Sequence, residues 1–337
     1  MLLALVAFSA LTAQDWAVFS GGSGPGKGKH IVLLAGDEEY RSEEGLPQLA
    51  KILSTRHGFK CTVLFSINEK GEIDPNVTSN QPGLEALAKA DLCIMLLRFR
   101  CWPDSQMKHF ADYLDSGKPI IALRTSTHAF NYPADSTSPY RRFGWQSKDW
   151  PGGFGKQVLG ENWVSHWGNH GSQATKGIVS HRAHPILNGV KELFGNSDVY
   201  EAAPPPDAQI LVWGQVLLGM SRGDAPARGK KKTAQGIEQD INAPKMPIVW
   251  VRGVGSVGPR VPSRASPKTR IVTTTMGAAT DLQDEGLRRL LINASYWTLT
   301  LPVPAHANVA PIGDYKPTMF GFNGFKKGVK PSELLPK

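Results

Sequence analysis

The feature that most limits the fold is an alternation: short apolar runs, each followed by a stretch with helical spacing. HIVLLAG (30–36) precedes the turn-like DEEYRSEE and then GLPQLAKILSTRHG (45–58). CTVLFSI (61–67) precedes GLEALAKA (83–90), and DLCIMLL (91–97) precedes PDSQMKHFADYLDSGK (103–118), with Asp104 near the helix start. PIIALR (119–124) is the next strand, and QILVWGQV, MPIVWVRG, RIVTTTMG and the helix EGLRRLLINASYWTL follow later. Strand-length runs without polar alternation are buried on both faces, and helices between them cover those faces. The expected class is α/β, a doubly wound, mostly parallel sheet in one domain over residues 30–300.

Composition removes several alternatives. Hydrophobic residues make up 41% and charged residues 20%, which suits a globular core. The formal charge is +9, but the basic residues are dispersed and only Lys230–Lys232 forms a run, so no nucleic-acid partner is expected. The opening MLLALVAFSALTAQDW reads as an export signal over residues 1–13, followed by a linker over 14–29, which makes the protein periplasmic or secreted. Gln14 and Asp15 break that run short of the roughly 20 residues a membrane span needs, and no later segment supplies an integral membrane helix. The three cysteines, Cys61, Cys93 and Cys101, lack CxxC spacing, and Cys93 reads as core. Residues 301–337, rich in Pro, Gly and aromatics, are expected to pack on the domain as an extension. The sequence leaves homo-oligomer formation open.

In open parallel sheets, ligands bind at the carboxyl ends of the strands. The first strand is followed by Asp37, Glu38, Glu39, Tyr40 and Arg41, the third by Arg98 and Arg100, and PIIALR by Thr125, Ser126, Thr127 and His128 after its own Arg124. The last strand leads to Asp281. Residues distant in sequence thus converge on one rim. The stretch 124–128 is similar to a nucleophile elbow but lacks its flanking glycines, which disfavours covalent acyl transfer by Ser126. Catalytic roles fall to His128, Glu39 and Asp37, and substrate contacts to Glu38, Tyr40, Arg41, Arg98, Arg100, Arg124, Thr125 and Asp281. A two-carboxylate glycosidase, with Asp281 opposing the acidic loop, is a third-ranked alternative.

A second concentration is ENWVSHWGNHG, with SHRAHP after it. Trp163 and Trp167 offer aromatic faces to a sugar ring beside His166 and His170. The four-residue spacing of His166 and His170 also fits a divalent metal, although Gly168 and Gly171 argue against a regular helix and no HExxH is present.

Taken together, HIVLLAGDEEYRSEEGLPQLAKIL, PIIALRTSTHAF, GENWVSHWGNHG, HPILNGV, DVYEA and TTMGAATDLQDEGLRRLLINASYW resemble the ThuA-like (trehalose-utilisation) family, specifically its exported planctomycete-type members. The resemblance implies a class I glutamine amidotransferase-like, flavodoxin-type fold. It also implies a sugar substrate: family members accompany dehydrogenases that oxidise glycosides at the 3-position. No cysteine stands at the elbow, so the implied activity is not glutamine hydrolysis. The expected function is general acid/base processing of a glycoside or 3-keto-glycoside by elimination, hydrolysis or isomerisation; a noncatalytic carbohydrate-binding or scaffold protein is the alternative.

Overall fold

Residues 14–254 and 269–335 are described by a computed structural model; the export signal expected at 1–13 lies outside the described residues. Strands β1 (Trp16–Phe19), β2 (His30–Gly36), β3 (Lys60–Phe65), β4 (Leu92–Leu97) and β5 (Ile120–Leu123) come first. They are followed by β6 (Thr175–Val179), β7 (Leu193–Gly195), β8 (Gln209–Val216), β9 (Lys230–Lys232), β10 (Glu238–Asp240), β11 (Met246–Val254) and β12 (Thr269–Thr274). The helices are α1 (Ser42–His57), α2 (Asp104–Asp115) and α3 (Glu285–Thr298). β9 and β10 form a separate ribbon, while the other strands make one sheet in the order β1, β3, β2, β4, β5, β12, β11, β8, β6, β7.

The pairings β3–β2, β2–β4, β4–β5 and β5–β12 are parallel. This is the flavodoxin-like order, with its switch point between β2 and β4, where the chain crosses from one face of the sheet to the other. Beyond β12 the sheet continues through antiparallel β11, β8, β6 and β7. Antiparallel β1, within the segment read as a linker, closes the opposite edge on β3.

Alternation along the strands builds two cores. Ile31, Leu33, Leu92, Ile94 and Leu96 pack with α1 and α3 on one face. Val32, Leu34, Cys93, Met95 and Leu97 pack with Met107, Phe110 and Leu114 of α2 on the other. Truncating a residue such as Ile94, wholly buried here, would cost about 2–5 kcal/mol.

Local chemistry sets the helix ends. α1 begins at Ser42, earlier than its apolar spacing indicates, with Glu44 in its first turn complementing the helix dipole. It ends at Gly58, whose left-handed backbone closes the last turn onto Leu53 and Ser54. Asp284 caps α3 by accepting from the Leu287 amide at 2.8 Å. GLEALAKA forms a 3-10 helix, Leu84–Lys89, rather than an α-helix.

The C-terminal segment runs back along α1. Arg56 donates to the Ala310 carbonyl at 2.7 Å, and Glu44 accepts from the Thr318 amide and hydroxyl, each at 2.7 Å. Among the described residues, no helix is long and apolar enough to cross a membrane.

Candidate functional site

Three of the parallel strands end on non-glycine residues in the left-handed region: Arg41 after β2 (φ 58°), Phe99 after β4 (φ 53°) and Arg124 after β5 (φ 40°). Such backbones cost about 1–3 kcal/mol each and persist where the surroundings over-determine them. The loops after β4 and β5 are stitched together, Phe99 N–H donating to His128 O at 3.0 Å and Arg100 N–H to Ala129 O at 2.6 Å. That pairing brings Arg98 and His128 to one rim.

The floor of the rim is made of groups engaged by protein partners. Arg124 is fully buried; Nη1 donates to Asp198 O (2.8 Å) and Thr275 O (2.7 Å), and Nη2 to Tyr40 Oη (3.0 Å) and Asp198 Oδ1 (2.7 Å). The rings of Tyr40 and Tyr200 sandwich its guanidinium at 4.3 and 4.0 Å. The elbow turn therefore exists, but its strained position holds an inward-facing cation instead of a nucleophile. Ser126 is equally committed, donating to Met95 O at 3.0 Å and accepting from the Leu97 amide at 3.2 Å. Arg100 spends all its nitrogens on Arg98 O, Ser66 Oγ, Pro75 O, Val77 O and Glu38 Oε2.

Several sequence assignments change on this ground. Asp37 accepts from the Glu39 amide (2.8 Å), the Tyr40 amide and the Thr125 hydroxyl, so both of its oxygens organise the loop. Burial, then the neighbouring Glu38, pushes its carboxyl up to about 6. Asp281 accepts from the Ser197, Gly277 and Ala278 amides at 3.0, 3.0 and 3.1 Å and from the Ser197 hydroxyl. Fully buried and so engaged, it cannot oppose the acidic loop as a second glycosidase carboxylate. Arg41 turns to the C-terminal segment, donating to Gly321 O at 2.5 Å. Trp167 is wholly buried with its indole N–H on Ile241 O (2.7 Å), which makes it core and no sugar platform.

The wall of the rim is different. His128 is nearly buried; Nδ1 lies 3.2 Å from Thr127 Oγ1, and Nε2 has no hydrogen-bond partner among the described residues. Burial, then the Arg98 and Arg124 charges, holds its pKa well below the usual histidine value, so it is neutral at pH 7. Phe99, Trp163 and Trp145 surround its ring at centroid distances of 5.0, 5.7 and 6.4 Å. Glu38 pairs with Arg98 and with Arg100 (2.8 Å). Arg98 approaches Glu39 at 3.9 Å and reaches solvent with about a fifth of its side chain, so it is the one guanidinium of the three open at the mouth.

His166 and His170 meet on an irregular loop, with ring centroids 4.7 Å apart. Between them and Arg124 sits Asp198, a residue that sequence reasoning missed. Its Oδ2 lies 2.8 Å from His166 Nδ1 and its Oδ1 3.2 Å from His170 Nδ1. Burial acts to raise the Asp198 pKa, but Arg124 and the two histidine contacts outweigh it and hold the carboxylate ionised. His170 Nε2 lies 3.1 Å from Glu39 Oε1, and the contacts to Asp198 and Glu39 raise its pKa to about 9. His166, His170 and Asp198 also form a potential metal-ligand group, their ligand atoms within 4.8 Å of one another. Of the two histidines in SHRAHP, His181 and His184, the latter caps Pro185–Leu187 and packs on Trp297.

The C-terminal segment completes the wall. Phe320 packs on Tyr40 (5.2 Å) and His170 (5.4 Å), Gly321 N–H donates to Glu39 O at 2.8 Å, and the exposed Phe322 stands 5.0 Å from the Arg98 guanidinium. The aromatic content of that tail was the only sequence signal for this role. For Asp198 it was its place at the head of the DVYEA stretch.

Fold and rim together define a flavodoxin-like α/β protein with a polar and aromatic site at the strand carboxyl ends. It is ThuA-like in fold: a ThuA-like protein from Parabacteroides merdae superposes with a TM-score of 0.51 at 15% identity, over 88% of this chain and 98% of that one. A ThuA-like protein from Bacteroides uniformis is also similar, with a TM-score of 0.46 at 16% identity, over 82% and 93% of the two chains. No family model matches the sequence, and no curated protein matches it.

Proposed function

We propose that this protein is a ThuA-like carbohydrate-processing enzyme that acts on a glycoside or 3-keto-glycoside by general acid/base chemistry. The observation that carries the reading is His128: a buried, neutral imidazole whose Nε2 has no partner among the described residues, walled by two tryptophans and a phenylalanine. Aromatic walls suit the C–H faces of a sugar ring, and a neutral imidazole is ready to accept a proton. Arg98 and the chain Glu39–His170–Asp198–His166 supply the opposite polarity on the same rim. In the keto-sugar version, Arg98 polarises the carbonyl and His128 removes the acidified neighbouring proton. Elimination or isomerisation then follows from one enolate. The sequence resemblance and the shared fold support the sugar assignment, and the apolar run at residues 1–13 supports export.

The test is an NMR time course with paired panels of glycosides and 3-keto-glycosides, for the wild type and His128→Ala. We expect selective consumption of one panel and a turnover about 10²–10⁴-fold lower in the variant, with melting showing that it stays folded. An unchanged rate in the variant removes His128 from catalysis. Saturable binding without product in the wild type would instead make the protein a carbohydrate-binding module.

A further inference from the structure

The cluster behind the sugar-facing wall is arranged like a ligand set. His170 stands between two carboxylates, its Nε2 3.1 Å from Glu39 Oε1 and its Nδ1 3.2 Å from Asp198 Oδ1. Asp198 is itself buried and anchored from behind by Arg124 Nη2 at 2.7 Å.

His166 Nδ1 faces the other oxygen of the same carboxylate at 2.8 Å, and one ligand atom from each of His166, His170 and Asp198 lies within 4.8 Å of the others. The surroundings fit an ion. A metal-bound histidine characteristically gives its other ring N–H to a carboxylate, which is the place Glu39 occupies. Two imidazoles and one carboxylate suit zinc and its transition-metal neighbours and leave coordination positions open. Both histidine side chains are about one-third exposed, so those positions face solvent on the rim, while the carboxylate is anchored from behind.

We propose that His166, His170 and Asp198 bind one divalent transition-metal ion, with Glu39 orienting His170 from the far side. The ligands come from two loops, one before β6 and one after β7, so binding also ties these loops together. The site stands independently of the sugar reading; an ion there would act as a Lewis acid on a carbonyl or hydroxyl oxygen of whatever substrate enters.

The test uses the full chain without a histidine tag, stripped with a chelator and titrated with Co(II) while visible absorption and melting temperature are followed. We expect saturable d–d bands at one equivalent, their displacement by Zn(II), and a raised melting temperature. His166→Ala and His170→Ala should each weaken binding by at least 100-fold, and Glu39→Gln by about 10–100-fold. His184→Ala, outside the cluster, should leave it unchanged. A folded protein that shows no saturable signal up to millimolar Co(II) overturns the proposal. Binding that survives the His166 and His170 substitutions also overturns it. No sugar enters the measurement, so failure of the carbohydrate reading cannot be mistaken for failure of this one.

Discussion

The floor and the wall of the rim carry similar residue types in different states. On the floor, Asp37, Arg100, Ser126 and Asp281 have their polar atoms engaged by protein partners, and Arg124 lacks one only at Nε. On the wall, His128 Nε2 has no partner among the described residues, Arg98 and His170 reach solvent, and Trp163 and Phe322 present ring faces. A charge at a strand end is thus no sign of catalysis until its hydrogen bonds are counted. Buried polar groups without partners are costly, so those with a full set belong to the scaffold, and those with spare capacity are available to a ligand.

The comparison predicts that floor substitutions act on stability and wall substitutions on turnover. The largest effect should come from Arg124→Met. It leaves Asp198 buried without its main counter-charge, and breaking such a pair costs about 3–5 kcal/mol, a large part of a typical domain's 5–15. The midpoint of urea unfolding should fall accordingly. A variant that unfolds like the wild type but loses turnover would move Arg124 from floor to wall.

Asp37 gives a smaller, pH-dependent contrast. Its folded-state pKa of about 6 lies above the unfolded value near 3.8, so the native state holds the proton more tightly. Stability from this group is therefore fully present at low pH and is lost as pH rises between about 4 and 6. Asp37→Asn keeps an acceptor for the Glu39 and Tyr40 amides and removes the charge. Its unfolding free energy relative to wild type should rise across that window and stay level above it. Chemical denaturation at pH 4, 5, 6 and 7.5 checks this; a flat difference would mean that Asp37 is not the titrating group.

How much of this was legible beforehand follows the same division. The parallel core announced itself because strands buried on both faces read as continuous apolar runs, and the rim followed from the rule that sites lie at their carboxyl ends. His128, Glu39, Arg98, Trp163, His166 and His170 were assigned to the rim in that way or by their clustering, and all of them lie there. The sequence could not distinguish Asp37 from Glu39, or Trp163 from Trp167, since saturation depends on partners far along the chain, such as Thr125 for Asp37, 88 residues away, and Ile241 for Trp167, 74 residues away. Asp198 was hidden for a related reason. It lies in an irregular loop after the three-residue β7, where no periodicity points inward, and only the fold sets it against Arg124.

The finest test of the wall is Phe322, since it sits at the outer edge and belongs to the C-terminal segment. Its ring is more than half exposed and touches Arg98, so removing it should cost little stability. If it forms the outer face of a sugar subsite, Phe322→Ala should lose the stacking contribution of about 0.5–1.5 kcal/mol. The Michaelis constant would then rise roughly 2–12-fold while kcat stays near the wild-type value, because ring stacking is equal in ground and transition states. A fall in kcat instead would mean that the ring holds Arg98 in position for the chemistry, and the segment would then serve the catalytic groups as well as the substrate. No change in either constant would place Phe322 outside the site and end the wall at Phe320.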